Sequence, residues 1–206
     1  MFRFTDVFLM MDNKKRCKWA NRSEEETEYH DKEWGVPVFD DRQFFEILSL
    51  DGAQAGLSWT TIIKKRENFR KAFDNFDVEK VACYDEKKIE ELITYKGIIR
   101  NRLKINSVVT NAKAFIEVQK EFGSFSNFIW SFVNGKPIQN SREKCEDVPA
   151  TTSISDNLSK ELKKRGFKFV GSTICYALMQ SAGLVNDHVT YCFRHAEIKN
   201  IRLKKE

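Results

Sequence analysis

Apolar residues recur along this chain three and four positions apart, and no segment alternates apolar and polar residues for long, so the pattern predicts helices and no strands. Asp40-Asp41 offers an N-cap ahead of the stripe Phe44, Phe45, Ile47 and Leu48. Residues Leu50-Asp51-Gly52-Ala53-Gln54-Ala55-Gly56-Leu57-Ser58-Trp59 form the next corner, and Thr60 to Phe73 continues as one helix. Asp77 and Asp85 open two shorter helices, Gly97 marks a corner, and Ile98 to Phe122 reads as one long helix. Ser124 starts a helix through Val133. Residues 134–152 are irregular and hold two of the three prolines. The caps at Ser153 to Asp156 predict a helix to Lys164, followed by a short hairpin at 165–171 and a second helix, Ser172 to Ala182, ended by Gly183. Residues 12–39 show no clear periodicity, and 196–206 are charged and expected to fray. The predicted fold class is all-α. The expected organisation is an N-terminal extension over 1–15, disordered and read from an early start codon before Met10 and Met11, a single domain over 16–195 built as two helical lobes, and a basic tail over 196–206.

Composition narrows the function classes. The chain has 206 residues, 41% of them hydrophobic and 13% aromatic, enough for a substantial core. A net charge of +5 permits a nucleic-acid partner without requiring one. No apolar run reaches the roughly 18 residues that cross a bilayer, and the N-terminus lacks the pattern of a signal peptide. Five cysteines, an odd and sparse number, fit a reducing cytoplasm better than a disulfide framework.

Three groups of residues carry candidate chemistry. His188 and Cys192 are one helical turn apart, and Cys17 and His30 form a second thiol–imidazole pair. Together they are the donor set that tetrahedral zinc prefers. Spacing alone leaves open whether the two pairs meet or remain a buried thiol and unconnected imidazoles. The second group is the hairpin Arg165-Gly166-Phe167-Lys168-Phe169-Val170-Gly171, with Lys160, Lys163 and Lys164 beside it. Free backbone N–H groups at the following helix N-terminus would suit a phosphate, although a plain helical corner with a solvated basic face reads equally well. Trp19, Tyr29, Trp34 and Trp59, with Asp51 among them, could stack and hydrogen-bond a flat cationic ligand or simply fill the core.

Taken together these residues resemble the 3-methyladenine DNA glycosylase I family, bacterial alkyladenine glycosylases of the helix-hairpin-helix superfamily. The resemblance covers roughly 16–193. It rests on Arg16-Cys17-x-Trp19, Tyr29-His30-Asp31-x-Glu33-Trp34-Gly35-Val36-Pro37, Gln54-Ala55-Gly56-Leu57-Ser58-Trp59, Lys64 to Asn68, Gly97-Ile98-Ile99-Arg100, Phe128 to Val133, Leu162 to Gly171 and Gly183 to His188.

The resemblance implies a two-lobed helical fold with one structural zinc joining the N- and C-terminal segments through Cys17, His30, His188 and Cys192. It implies a monofunctional DNA repair glycosylase that flips alkylated adenine out of double-stranded DNA and hydrolyses its N-glycosidic bond, the first step of base-excision repair. The base pocket maps to Tyr29, Trp34, Asp51 and Trp59, with Asp51, Tyr29 and Trp59 closest to the chemistry. DNA contacts map to Gly56 and Leu57 at the wedge and to Arg165, Gly166, Lys168 and Gly171 in the hairpin. Asp187, beside His188, is assigned a structural role. A cytoplasmic monomer without membrane contact is expected. Two departures fall at the pocket: the family has Glu where this chain has Asp51, and an aromatic where it has Glu26. They give the alternative expectation of a catalytically impaired DNA-damage-binding protein with the same fold.

Overall fold

The computed structural model of the chain describes residues 13–201, so most of the 1–15 extension and the last five residues of the tail lie outside the described residues. The fold is built around α2, Asp41–Gln54, which packs against α3 (Trp59–Ile63), α7 (Arg102–Phe122), α8 (Phe125–Ser131) and α10 (Ser172–Ser181). Ten consecutive α2 residues, Phe44 to Ala53, are buried, so this helix is enclosed on all sides. The remaining α-helices are α1 (Glu24–Lys32), α4 (Arg66–Ala72), α5 (Val78–Ala82), α6 (Glu86–Thr94), α9 (Ser153–Lys164) and α11 (Phe193–Lys199).

Short polar side chains start most of these helices by accepting a backbone N–H three residues on. Asp40, Asp77, Asp85, Asn101, Ser124 and Thr152 do this for α2, α5, α6, α7, α8 and α9. Asp41 reaches further: its two carboxylate oxygens accept from the N–H groups of Phe125 and Ser126 at 2.8 Å, tying α8 to the start of α2.

The all-α expectation holds, with local differences. The central corner is shorter than expected, because α2 continues to Gln54 and only residues 55–58 turn, with Gly56 at φ +75°. Asp51 and Gly52 are therefore helical residues. The segment 60–73 divides at Lys64 and Lys65 into α3 and α4. The long helix begins at Arg102, after a turn through 97–101. The irregular stretch 134–152 contains β1 (Ile138–Gln139), paired in parallel with β2 (Val185–Asn186). Two residues each are too few to leave an alternating pattern. The C-terminal segment is helical through Lys199, where fraying was expected from 196 on, because Ile198 is buried. No helix among the described residues is long and apolar enough to cross a membrane.

Candidate active site and metal centre

α1 brings Tyr29 and His30 to the inside on one turn, and Ser23 caps it by accepting from the Glu26 N–H. The segment after β2 folds back so that His188 and Cys192 meet His30 and Cys17. The ligand atoms of all four residues lie within 4.8 Å of one another, and all four residues are buried. Cys192 Sγ is 3.4 Å from His30 Nε2 and 3.5 Å from His188 Nδ1, and Cys17 Sγ is 3.7 Å from His188 Nδ1. The outward ring nitrogens are also engaged. His30 Nδ1 lies 2.7 Å from Asp31 Oδ1, Asp31 is gripped by Arg16 at 2.7 Å, and His188 Nε2 lies 3.0 Å from the Trp34 carbonyl oxygen. Those partners orient both rings so that the inward nitrogens turn their lone pairs toward the cluster, where His30 Nε2 accepts the Cys17 backbone N–H at 3.4 Å. The two thiols also act on each other: the hydrogen bond from Cys17 draws the Cys192 thiol down, and the same contact, with burial, pushes Cys17 up. One thiolate is thus already favoured, and the cluster could hold a metal ion.

Next to this cluster lies a cavity of ≈ 370 Å³, within the size range of small-molecule sites. Trp19, Tyr29, Trp34 and Trp59 supply its aromatic walls, and Asp51 and Glu26 its carboxylates. Tyr29 and Trp59 are tilted at 48° with ring centres 5.1 Å apart, and Trp19 meets Trp34 edge-on at 5.1 Å. Trp34 also meets the His188 ring at 4.5 Å, so one indole forms both the cavity wall and the cover of the cluster.

Several polar atoms in this wall have no partner. Asp51 is 2% exposed, and its Oδ2 accepts no hydrogen bond. Burial pushes its carboxyl well above the usual carboxylate range. The Trp59 indole N–H and Glu26 Oε2 are likewise buried and unpartnered. Buried polar groups in folded proteins are nearly always paired, so three orphans around one cavity mark a place built to receive polar edges from elsewhere. Burial, then the nearby Asp51 charge, pushes the Tyr29 phenol upward and keeps it neutral.

Asp187 also lines the cavity, but its oxygens are occupied. They accept from Tyr176 Oη at 2.6 Å, Asn140 Nδ2 at 2.7 Å, Gln180 Nε2 at 2.8 Å and Arg142 Nε at 3.1 Å. This arrangement clamps β1 and β2 to α10. Sequence reasoning leaves Gln180 and Ser181 out of the pocket, and places Glu26 there only as a departure. The one signal for Glu26 is its position three residues before Tyr29, which matters only once α1 is recognised.

The hairpin between α9 and α10 approaches the same region. Asn111 of α7 holds it in place, donating to the Lys168 carbonyl at 3.0 Å and accepting the Lys168 N–H at 2.7 Å. Phe169 packs against Gly52, where an added Cβ would lie 3.6 Å from the Phe169 Cβ. Lys168 is exposed, and Gly166 and Gly171 have open space in front of them. Arg165 is held within the protein: it pairs with Glu121 at 2.5 Å and lies over the rings of Phe122 and Phe128. Leu57, at the 55–58 corner, is 40% exposed.

Residues 19–195 match the methyladenine glycosylase family. DNA-3-methyladenine glycosylase 1 of Escherichia coli (strain K12) is 50% identical over 177 residues, covering 86% of this chain and 95% of that protein. A crystal structure of 3-methyladenine DNA glycosylase I superposes with a TM-score of 0.85 at 49% identity, covering 87% of this chain and 98% of that one. A structure of the Staphylococcus aureus 3-methyladenine DNA glycosylase I, described as showing the basis of 3-methyladenine recognition, superposes with a TM-score of 0.84 at 36% identity, covering 86% of this chain and 95% of that one.

Proposed function

The chain belongs to the methyladenine glycosylase family, and from that premise we propose that it excises 3-methyladenine from double-stranded DNA by hydrolysing the N-glycosidic bond. The observation that carries this reading is the set of orphaned atoms in the cavity: a buried carboxylate oxygen on Asp51 and a buried indole N–H on Trp59, within aromatic walls.

Alkylation at N3 gives the base a positive charge and makes it a good leaving group. The protein's task is to extrude the nucleotide, at a cost of a few kcal/mol, and hold it away from the stack. Tyr29 and Trp59 stack on the ring, and their electron-rich faces favour the cation. Trp34 closes the wall. Asp51 Oδ2 accepts an N–H of the base, and the incoming positive charge favours the ionised carboxylate that burial otherwise disfavours. As the C1′–N bond breaks, its electron pair leaves with the base, which becomes neutral. Water adds to the oxocarbenium-like sugar and gives up a proton. No lysine among these residues is placed as an amine nucleophile, so the reaction stops at base release.

Gly56 and Leu57 would enter the duplex at the gap left by the extruded base, and Lys168 with the N–H groups around Gly166 and Gly171 would meet phosphates. Arg165 would support the hairpin through Glu121 and the two phenylalanines.

Cys17, His30, His188 and Cys192 would hold one zinc. Neighbouring sulfur and nitrogen ligands of tetrahedral zinc lie about 3.5 Å apart, from bonds of about 2.3 and 2.0 Å. Three of the four sulfur–nitrogen separations here are 3.4, 3.5 and 3.7 Å. Four protein donors would fill the coordination shell, so the ion would supply a cross-link between the two ends of the domain. The protein would act as a cytoplasmic monomer.

The test is to incubate the folded, zinc-loaded protein with methylated DNA and analyse the released bases. Release of 3-methyladenine is expected. No release, together with tight binding to an abasic-site analogue and activity restored by Asp51→Glu, would show a damage-binding protein instead.

A further inference from the structure

Glu26 stands on α1 one turn before Tyr29 and lines the cavity, and the reaction as described does not use it. It is 1% exposed, yet it faces a cavity. Its Oε1 accepts the Thr60 hydroxyl at 2.6 Å, which fixes the carboxylate beside Trp59, the residue preceding Thr60 at the start of α3. Its Oε2 has no partner, and no ion pair reaches it among the described residues. A carboxylate used only to staple α1 to α3 would need one oxygen. Leaving the second buried and bare costs free energy unless something occupies it part of the time.

We propose that Glu26 is a specificity-determining residue: its Oε2 accepts an N–H of the extruded base, so that Glu26 and Asp51 form a two-carboxylate clamp selecting a cationic purine over a neutral one. The inference rests on the glycosylase reading of this cavity. Its chemistry follows from the donor inventory. The exocyclic amine of an adenine carries two hydrogens, and a single carboxylate oxygen takes one of them. The Trp59 N–H, also unpartnered, supplies the complementary donor for a ring nitrogen. A second negative charge in a desolvated cavity adds little for a neutral base and much for a cation.

Three variants separate the possible roles. Glu26→Gln keeps the length, and its amide can still present oxygen to the cavity while donating to Thr60, so it removes mainly the charge. Glu26→Met removes charge and acceptor together. Thr60→Val leaves the carboxylate and releases it from its fixed position. The readouts are Kd for 3,9-dimethyladeninium, a purine that keeps its positive charge because N9 is also substituted, and for neutral adenine, followed by quenching of tryptophan fluorescence, and release of 3-methyladenine from methylated DNA. Circular dichroism confirms that each variant is folded.

The ratio of the two Kd values is expected to narrow by about tenfold in Glu26→Gln and further in Glu26→Met, with Thr60→Val in between. A purely structural role would lower the melting temperature without moving that ratio. Wild-type protein that releases 3-methyladenine, with variants that keep the wild-type ratio, overturns the role of Glu26 and leaves the glycosylase reading intact. Wild-type protein that releases no base overturns the glycosylase reading itself.

Discussion

Gly183 lies directly against Pro37: a Cβ built on it would sit 2.5 Å from the Pro37 nitrogen and 2.5 Å from the Val36 carbonyl carbon. The same backbone crossing carries two hydrogen bonds, from the Gly35 N–H to the Gln180 carbonyl and from the Val38 N–H to the Ala182 carbonyl. Gly183 also has φ +71°, so a side chain there meets both strain and a clash with backbone. Gly183→Ala is expected to cost about 2–5 kcal/mol, read from urea unfolding. A cost under about 1 kcal/mol would mean the crossing can open without loss.

Lys104 gives a second stability prediction. Its ammonium donates to the carbonyls of Ala53 and Ala55 at 2.8 and 2.6 Å, which satisfies the end of α2 just below the 55–58 corner. Lys104→Met should lose about 1–3 kcal/mol and lower base release, because the corner that leads into Trp59 loses its anchor. An unchanged unfolding midpoint would show that water replaces the ammonium at no cost.

Asp51 links stability to function with opposite signs. Its carboxyl is raised by burial, so the folded state holds the proton to higher pH than the unfolded chain does. Stability is therefore greatest below the unfolded carboxylate pKa, about 3.9, and is lost as pH rises through the folded value. Asp51→Asn removes that loss. It should melt higher than wild type at about pH 8, with the gap closing toward about pH 4, while base release falls on the order of 100-fold. Equal melting temperatures at about pH 8 would show that the carboxyl is solvated in solution.

Elemental analysis should find one zinc per chain, and Cys192→Ala should abolish it. Structural zinc in small peptides is worth on the order of 10 kcal/mol, and 1 kcal/mol shifts Tm by about 2–4 °C at this size. A fall of about 10 °C or more after chelation is expected. A folded, zinc-free wild type with unchanged Tm would contradict the assignment.

Lys168 is exposed at the hairpin. Lys168→Ala should weaken DNA binding equally on all sequences and lower the salt slope by about one. Loss restricted to alkylated DNA would place the side chain at the base instead.

The helices that could be read from sequence were those with a short polar cap and an apolar stripe, such as α2, α6 and α8. α1 escapes because its buried positions are Glu26, Tyr29 and His30, polar or amphipathic side chains that face inward for the thiol–imidazole cluster and the cavity and so leave no apolar stripe. The break between α3 and α4 is marked by no glycine or proline, only by Lys64 and Lys65. For the four-residue cluster, the thiol and imidazole pairs are visible within each end of the sequence, but their meeting depends on the fold and comes from the resemblance. For the cavity, the carboxylate and the indole were visible, but the sequence suggested a loop where Asp51 stands on a helix. That difference matters, because a helical backbone fixes where the carboxylate can reach.

Cys17 and His188 are 171 residues apart yet 3.7 Å apart in space. During synthesis the first pair of donors leaves the ribosome long before the second exists, so the joint can form only after residue 192 has emerged. Trp34, which covers His188 and also walls the cavity, can make its contact with the His188 ring only after that step. A chain cut short before residue 188 would have much of its helical core and no finished cavity, so partial products would be unable to engage a damaged base.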